Sequence, residues 1–380
     1  MRYVGWLIVI IIVIFGIYYF WTRPSPKGPG GQVPEETKSE ALKVGALLTL
    51  TGGGGFAGEE VKEGMDLASR NPEIQQKLAI QFEDSATEPA KAVSGFNKLN
   101  EIGDADIIVV TLSAMAEAVT PIAIEKKIPI LQTLVSAPNI AAGSPYTFRY
   151  FHSADVDTAI GSRIALEKIK AKTAAILYLN DPYGRSHYEF FKKFFTDGGG
   201  KVVSEQSFTR EDNDFRTHLT KVKEVKPDLL YFVGLEKSVA QILKQVRELK
   251  IKSALLANAV MAGPSVQEAS GENDEGVYLV SPSFYFDQPT DVAKKFIEDY
   301  KAAYNKPPSH YAAIGYDIVN LLARIDKRQG DRGDDIVRKL TEIGGMTGAM
   351  GDLTIDAEGE ISYPLYPAQI KEQKLIRLEL

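Results

Sequence analysis

The feature that most constrains this chain is a repeated alternation of short apolar, β-rich runs with amphipathic helical stretches. From Lys43 onward the β-rich runs are Val44–Leu50, Leu78–Phe82, Ile107–Val110, Ile128–Leu131, Ala174–Leu179, Val202–Phe208, Leu229–Val233 and Ala254–Leu256. Helical segments such as Ala90–Glu101, Ala114–Glu125, Ala159–Ile169 and Val239–Leu249 lie between most of them. In the last, Val239, Ile242, Leu243, Val246 and Leu249 recur at spacings of three and four and mark one helix face. Runs that are apolar throughout belong to strands covered on both sides, so the pattern predicts parallel sheets sandwiched by helices. There are too many runs for one comfortable open sheet. The order strand, turn, helix, strand also begins twice, at Lys43–Phe82 and at Thr173–Phe208. We therefore expect two Rossmann-like α/β lobes, with a site in the cleft between them.

The end of the chain breaks the pattern. Asp291–Asn305 and Tyr311–Arg328 read as two amphipathic helices. The stretch "GAMGDLTIDAEGEISYPLYPAQIKEQKLIRL" then reads as short strands with a turn at Asp356-Ala357-Glu358-Gly359. A return of strands after long helices suggests that the chain crosses back between lobes.

The beginning differs again. Tyr3 to Thr22 carries no charged residue, and about 20 helical residues span about 30 Å, the thickness of a bilayer's hydrocarbon core. Trp6, Tyr18, Tyr19 and Trp21 stand toward its ends, where aromatic rings favour the interface. No small-residue cleavage site follows, so an uncleaved membrane anchor over 3–22 is expected ahead of a cleaved signal peptide. Arg2 before the span and Arg23 and Lys27 after it leave the charge bias nearly balanced. Arg23 to Ala41, rich in Pro, Gly and Glu, reads as a solvated tether that holds the body on the extracytoplasmic side. The chain has no cysteine, which excludes disulfides, thiol nucleophiles and a lipid-modified N-terminal cysteine. A formal charge of −6 and the lack of a basic stripe speak against nucleic-acid binding.

Chemical motifs are sparse. His152, His187, His218 and His310 show no metal-ligand spacing, and no nucleophile elbow or P-loop occurs, so no enzyme activity, metal or cofactor is expected. One motif competes. In "TLTGGGGFAGEE", Gly53, Gly55 and Gly58 match G-x-G-x-x-G between a strand and a helix, and Asp84 ends the next strand. That is the dinucleotide fingerprint, although the acid lies further on than the usual ~20 residues.

These stretches in their order resemble the type I periplasmic binding proteins, in the branched-chain amino acid branch of ABC-transporter substrate-binding proteins. "LTLTGGGGFAGEEVKEGMDLA" is similar to the family's opening P-L-T-G turn and helix, and "DSATEPAKAV" to its D-x-x-x-x-P-x-x-A-V segment. "LNDPYGRSHYEFF", "GGGKVVSEQSF", "DFRTHLTKVKEVKPDLLYFVG" and "SGENDEGVYLVSP" follow in the same order. The resemblance covers about Leu42 to Leu380. It implies two lobes joined by three crossovers, near Phe151–Asp155, Ser281–Ser283 and Met350–Gly351. Lobe one would combine 43–152 with 283–350, and lobe two 153–282 with 351–380. It further implies hinge closure on a small-molecule solute and docking of the closed form on ABC permease subunits. A non-transport sensor or cell-envelope module of the same fold stays open as the alternative.

Site residues carry over by matching stretches. The resemblance implies Ser113 and Ala114 in "TLSAMAEAV", Leu134 and Ser136 in "TLVSAPNI", and Tyr183 in "DPYG" as ligand contacts. The first loop departs from the family by reading Phe56-Ala57 where an aromatic often stands at the second of these places, and Phe56 is the ligand contact expected from it. Near Asn258 and Ala259 the amino-acid binders tend to carry a carboxylate for the ligand's ammonium group, and this chain has none there. Glu236, beside Leu235 in the loop after another strand, is either the substitute for it or, the reading the pattern favours, a solvated loop acid. The departure speaks against an ordinary leucine-like amino acid and for a less charged, amide-like or aromatic-acid solute.

Overall fold

A computed structural model describes residues 39–140, 143–286 and 290–380; the expected anchor over 3–22 and most of the tether lie outside them. The first sheet starts as β1 (Leu42–Leu48), β2 (Leu78–Asp84), β3 (Ile107–Thr111), β4 (Ile130–Thr133) and β5 (Thr147–Tyr150), all parallel. Helices α1 (Gly55–Ala68), α2 (Pro72–Lys77), α3 (Pro89–Glu101) and α4 (Ser113–Glu125) connect β1 to β4. After α5 (Ala154–Arg163) the second sheet runs β6 (Thr173–Leu179), β7 (Lys201–Phe208), β8 (Leu229–Val233), β9 (Ala254–Ala257) and β10 (Tyr278–Pro282), again parallel. Its connecting helices are α6 (Pro182–Asp197), α7 (Arg216–Val225), α8 (Glu236–Glu248) and α9 (Pro264–Ser270). Strands β1, β3, β4 and β8 are buried almost without a break, whereas the edge strand β7 alternates with exposed residues. This is the two-lobed α/β architecture that the apolar runs predict.

The rest of the chain returns to the first sheet before finishing in the second. Helices α10 (Asp291–Tyr304), α11 (His310–Leu322) and α12 (Gly333–Ile343) lead into β11 (Gly345–Gly348), β12 (Gly351–Ile355) and β13 (Glu360–Ser362). The sheet orders are β11-β12-β13-β5-β4-β3-β1-β2 and, with β14 (Leu365–Lys371) and β15 (Lys374–Arg377), β15-β14-β10-β9-β8-β6-β7. The last passage between sheets therefore falls after Ser362, not near Met350–Gly351. Residues Gly351–Ile355 stay with the first sheet because they form an antiparallel ladder with Gly345–Gly348 and continue into β13. The turn expected at Asp356–Gly359 closes that hairpin, with Gly359 at φ +82° and its N–H donating to the Asp356 carbonyl. Helix α11 ends at Leu322, earlier than the Arg328 expected from periodicity.

The C-terminal return is locked by one helix contact. On α1, a Cβ at Gly64 would stand 1.9 Å from the Ala312 carbonyl oxygen of α11. On α11, a Cβ at Gly315 would stand 2.0 Å from the Val61 carbonyl oxygen. Two glycines thus let the helix backbones touch, where no side chain fits. Ser309 caps α11 by accepting from the N–H of Tyr311 and Ala312, and its hydroxyl donates to Glu60 on α1. The pair fixes α11, and with it Tyr311, relative to the first sheet. We expect Gly315→Ala to cost about 2–3 kcal/mol or more, because both clashing groups are backbone. Gly53→Ala, with nothing within 4 Å, should be near neutral. Chemical denaturation of the two variants checks this.

Candidate functional site

Parallel strands deliver their turns to one edge, and the carboxyl ends of both sheets face each other across a cleft. The first-lobe wall begins at the glycine-rich turn after β1. Asp84 accepts from the N–H of Leu50 (2.9 Å), Thr51 (3.3 Å) and Ala86 (2.7 Å) and from the Thr51 hydroxyl (2.6 Å). Partial burial alone would raise the Asp84 pKa, but hydrogen bonds from Thr51, Ala86 and Leu50 outweigh it and hold the carboxyl below its usual range. The acid that completes the dinucleotide spacing is therefore spent on bracing the turn. Gly58 has its own structural reason, since a Cβ there would meet the Thr49 carbonyl oxygen at 2.0 Å. The G-x-G-x-x-G spacing serves a tight strand-to-helix packing.

The turns after β3 and β4 form the next part of this wall. Leu112 (φ +68°) and Leu134 (φ +56°) both adopt positive φ, a conformation that costs a non-glycine residue of order 1–3 kcal/mol. They are held there by their surroundings. Ser113 Oγ accepts from the N–H of Ser136 (3.2 Å) and of Ala137 (3.4 Å), which ties the two turns together. Leu112, Ser113 and Leu134 all line the cleft cavity.

In the second lobe, "DPYG" works residue by residue. Asp181 caps α6 by accepting from Gly184 N–H at 2.9 Å, and Pro182 occupies the first turn, where its missing N–H is harmless. Gly184 admits the Leu179 carbonyl, 1.9 Å from where a Cβ would be. Tyr183 is thereby placed on the wall, buried, its hydroxyl accepting from Asn258 Nδ2. Asn258 Nδ2 also donates to the Gly234 carbonyl at 3.1 Å, so the turns after β6, β8 and β9 are joined through one amide. Leu235 and Glu236 open α8 beside them.

The walls meet around a cavity lined by Ala57, Leu112, Ser113, Leu134, Phe151 and Tyr311 from one side. Asp181, Tyr183, Arg210, Leu235, Glu236 and Val260 line the other. Only about 20 Å³ is open to the centre of a water-sized sphere, room for about one water, so the lobes are closed. An adjoining groove of about 430 Å³ shares Arg210 and Leu235 with the cavity and reaches Gly53 and Lys237. Arg210 bridges the lobes between these two spaces. Its Nη2 pairs with Asp181 at 2.6 Å, and its Nη1 donates to the Thr87 carbonyl of the first lobe at 2.9 Å.

Charge in the cavity does not balance within the protein. Asp181 and Arg210 neutralise each other. Glu236 is left, with Oε2 buried and without a hydrogen bond among the described residues. Burial pushes its pKa up to about 7, only partly offset by its own backbone N–H and the Tyr311 hydroxyl. Burial likewise holds Tyr183 and Tyr311 well above the usual phenol range, so both stay neutral.

Behind the cavity a polar chain runs to the segments that join the lobes. Tyr363 bonds His152 Nδ1 at 2.9 Å, and His152 and His187 flank Asp157 at 3.4 and 3.3 Å. His187 Nδ1 reaches the Tyr183 carbonyl at 3.0 Å. Burial alone would raise Asp157, but the two histidines bring it down to about 2. Ser283 N–H donates to the Pro364 carbonyl at 2.9 Å, binding two joining segments to each other.

Of the residues expected from sequence, the cavity collects Ser113, Leu134, Tyr183, Leu235 and Glu236. Phe56 is not among them: it is 36% exposed, and Ala57, one helical step on, faces the cavity instead. Ala259 is displaced in the same way by Val260, because a short 3-10 turn over Ala259–Ala262 rotates the chain. Ala114, Ser136 and Asn258 are buried behind the wall rather than on it. Sequence reasoning missed Arg210, Asp181, Phe151 and Tyr311. Asp181 was legible as an N-cap, and Phe151 as a neighbour of the first crossover. Tyr311 reaches the cleft only through the packing of α11.

Two α/β lobes closed over a small lined cavity define the class of two-lobed solute-binding proteins. A family model described as "Periplasmic binding protein" matches residues 41–374, and the chain belongs to that family. Within it the chain is a type I protein of the branched-chain amino acid branch. The Leu/Ile/Val-binding protein of Escherichia coli (strain K12) is 23% identical over 329 residues, 85% of this chain and 89% of that one. A Leu/Ile/Val-binding protein homolog of Brucella melitensis is 23% identical over 86% of this chain and 90% of its own. Among solved structures, a leucine-binding protein from Thermotoga maritima matches with a TM-score of 0.81 and 24% identity, covering 89% of this chain and 98% of that one. An R. palustris solute-binding protein in complex with benzoate matches with the same score, 0.81, at 24% identity, over 89% and 96%. These structural likenesses bear on the fold.

Two measurements test this electrostatic layout. Arg210→Ala removes the side chain that bonds across the lobes, so the ligand-free protein should shift toward an open form with a larger radius of gyration by solution scattering. A carboxyl raised in the folded state stabilises the fold below its unfolded pKa and loses that contribution as pH rises through the folded value. For Glu236 the window runs from 4.5 to about 7, on the order of 3 kcal/mol. Glu236→Gln should thus gain stability over the native chain at high pH and flatten that part of the profile. Glu60, also raised to about 7 mainly by burial, leaves a residual slope of the same sign.

Proposed function

We propose that this chain is the extracytoplasmic solute-binding component of an ABC uptake system. It closes its lobes around a small amino-acid-like, amide or organic-acid solute and hands it to the permease. The observation that carries this reading is the cavity itself, which draws side chains from both lobes and is bridged by Arg210. Solute binding biases an opening equilibrium only through contacts made better in the closed form, and a cavity with walls from two bodies provides them. The cavity is too small for a solute while the lobes are shut this tightly, so entry requires the Arg210–Thr87 contact to open. The hydrophobic segment 3–22 and the tether 23–41 serve to keep the body at the membrane surface. Among the described residues no helix is long and apolar enough to cross a membrane.

The relatives bracket the solute class. Some are named for leucine, isoleucine and valine, and one structural neighbour carries benzoate. Mass spectrometry of small molecules that co-purify with the chain, followed by thermal shift with each, tests the proposal. A true solute at one hundred times its Kd stabilises by about 2.7 kcal/mol. Failure of every amino acid, amide and aromatic acid in a broad panel to raise the melting temperature would remove the transport reading. Tyr183→Ala should weaken the identified solute at least about tenfold, roughly 1.4 kcal/mol, by opening one wall. Its effect is read by calorimetry.

A further inference from the structure

Two histidines behind the wall carry a further inference, which rests on the solute-binding reading. His187 follows Tyr183 by four residues on α6, so the two side chains share one helix face, with ring centroids 4.5 Å apart. The His187 imidazole is fully buried and meets an oxygen at each end. Nδ1 lies 3.0 Å from the Tyr183 carbonyl, and Nε2 lies 3.3 Å from Asp157 Oδ2 on α5. Neither oxygen has a proton to give. A carbonyl only accepts. Asp157 is a carboxylate: against the upward push of burial, hydrogen bonds from His152 and His187 bring it down to about 2. A neutral imidazole has one N–H and one lone pair, so here its lone pair would face that of an oxygen. Both contacts are met only when both nitrogens carry hydrogen. His152 differs. Its Nε2 lies 3.4 Å from Asp157 Oδ2, but its Nδ1 lies 2.9 Å from the Tyr363 hydroxyl, which can donate. A neutral ring with its hydrogen on Nε2 therefore satisfies His152.

The other groups around the ring add no charge. Tyr183, Tyr231 of β8 and Tyr363 are phenols that burial holds well above their usual range. On α5, Asp155 accepts from the Ser153 hydroxyl, and Arg163 is exposed and paired with Glu167. Glu117 and Glu125 of α4, which packs on α6, are exposed. Tyr178 of β6 and Glu205 of β7 engage Tyr188 instead. One proton on His187 thus balances Asp157, and a further proton on His152 would leave a buried positive charge.

We propose that His187 is a positioning residue for solute capture: held as a buried imidazolium, it ties the Tyr183 wall to Asp157 and, through His152 and Tyr363, to the segments that join the lobes. When an N–H bond of the imidazolium breaks and its proton leaves to solvent, one nitrogen turns a lone pair toward either the Tyr183 carbonyl or the Asp157 carboxylate. One of the two bonds is then lost, and Asp157 stays buried beside a neutral ring. Either loss uncouples the wall from the hinge, while Tyr183 keeps its bond to Asn258. A bound solute needs Tyr183 in place, so solute and proton favour the same state and each strengthens the binding of the other. Affinity is therefore greatest while His187 is protonated and falls as pH rises through its titration.

Nitrogen-15 NMR of the full chain, labelled at its four histidines, reads the proton directly. His187 is assigned through its contact with the Tyr183 ring and by the signals lost in His187→Gln. The expected result is a bonded hydrogen on both His187 nitrogens at about pH 6. Tyr183 ring signals should shift with the same titration. Calorimetry with L-leucine, L-phenylalanine, benzamide and benzoate then follows affinity from about pH 5.5 to about pH 8.5. Affinity for the members that bind should fall by up to about tenfold per pH unit above the His187 midpoint. His187→Gln should bind about tenfold more weakly at about pH 6 and lack that fall. Glu236 and Glu60, both raised to about 7, act in both chains, so the difference between the two profiles reports His187. A single protonated nitrogen on His187 at about pH 6, or the same pH profile in both chains, overturns the proposal and leaves the solute-binding function in place. Where the variant fails to fold, the native chain decides: different midpoints for the His187 signals and the fall in affinity overturn it. If no member of this panel or the broader one binds, the solute-binding reading itself falls, and the positioning role with it.

Discussion

A parallel sheet carries all its turns at one edge, and everything functional in this protein depends on that constraint. Buried strands such as β3 and β8 leave no room for polar chemistry within the sheets. The polar groups accumulate where strand gives way to helix, at Ser113, Asp181 and Glu236. Because the two sheets turn these edges toward each other, residues far apart in sequence come to line one space. Arg210 then needs only two bonds, to Asp181 and to Thr87, to connect one body to the other. Asn258 performs the matching task within the second wall, joining three turns with a single amide.

The cleft is also where the structure departs from local ease. Leu112 and Leu134 hold positive φ, and Glu236 keeps a buried oxygen unbonded among the described residues. Neither feature stabilises the fold. Both lie on the cavity surface, where a bound molecule can be met by fixed backbone and a waiting acceptor. Beneath them, the His152–Asp157–His187 chain links Tyr183 to Tyr363 in a segment that joins the lobes, so the wall and the hinge share one buried network.

The fold was legible wherever burial writes itself into local pattern. Runs such as Leu229–Val233 and the helix face at Val239, Ile242, Leu243 and Val246 appear in the structure as read. The Asp-Pro-Tyr-Gly turn was likewise readable, because capping, proline placement and close approach each depend on neighbours in sequence. The third crossover was misplaced because strand pairing, not composition, decides to which sheet Gly351–Ser362 belongs. Phe56 stands off the cavity for a simpler reason. One residue along a helix is a turn of about 100°, and nothing local says which of Phe56 and Ala57 faces the cleft.

Sequence by itself determined the parallel α/β architecture, the double beginning that makes two lobes, and the stretches whose order marks the family. These follow from hydrophobic periodicity and turn chemistry, which act over a few residues. Tertiary structure decided which side chains share the cavity. Tyr311 arrives there because Gly64 and Gly315 let two helices touch. Arg210 arrives because a loop after β7 reaches a carbonyl in the other lobe. The isolation of Glu236, too, is visible only once its neighbours are known, since a charge is unpaired by its surroundings and not by its place in the chain.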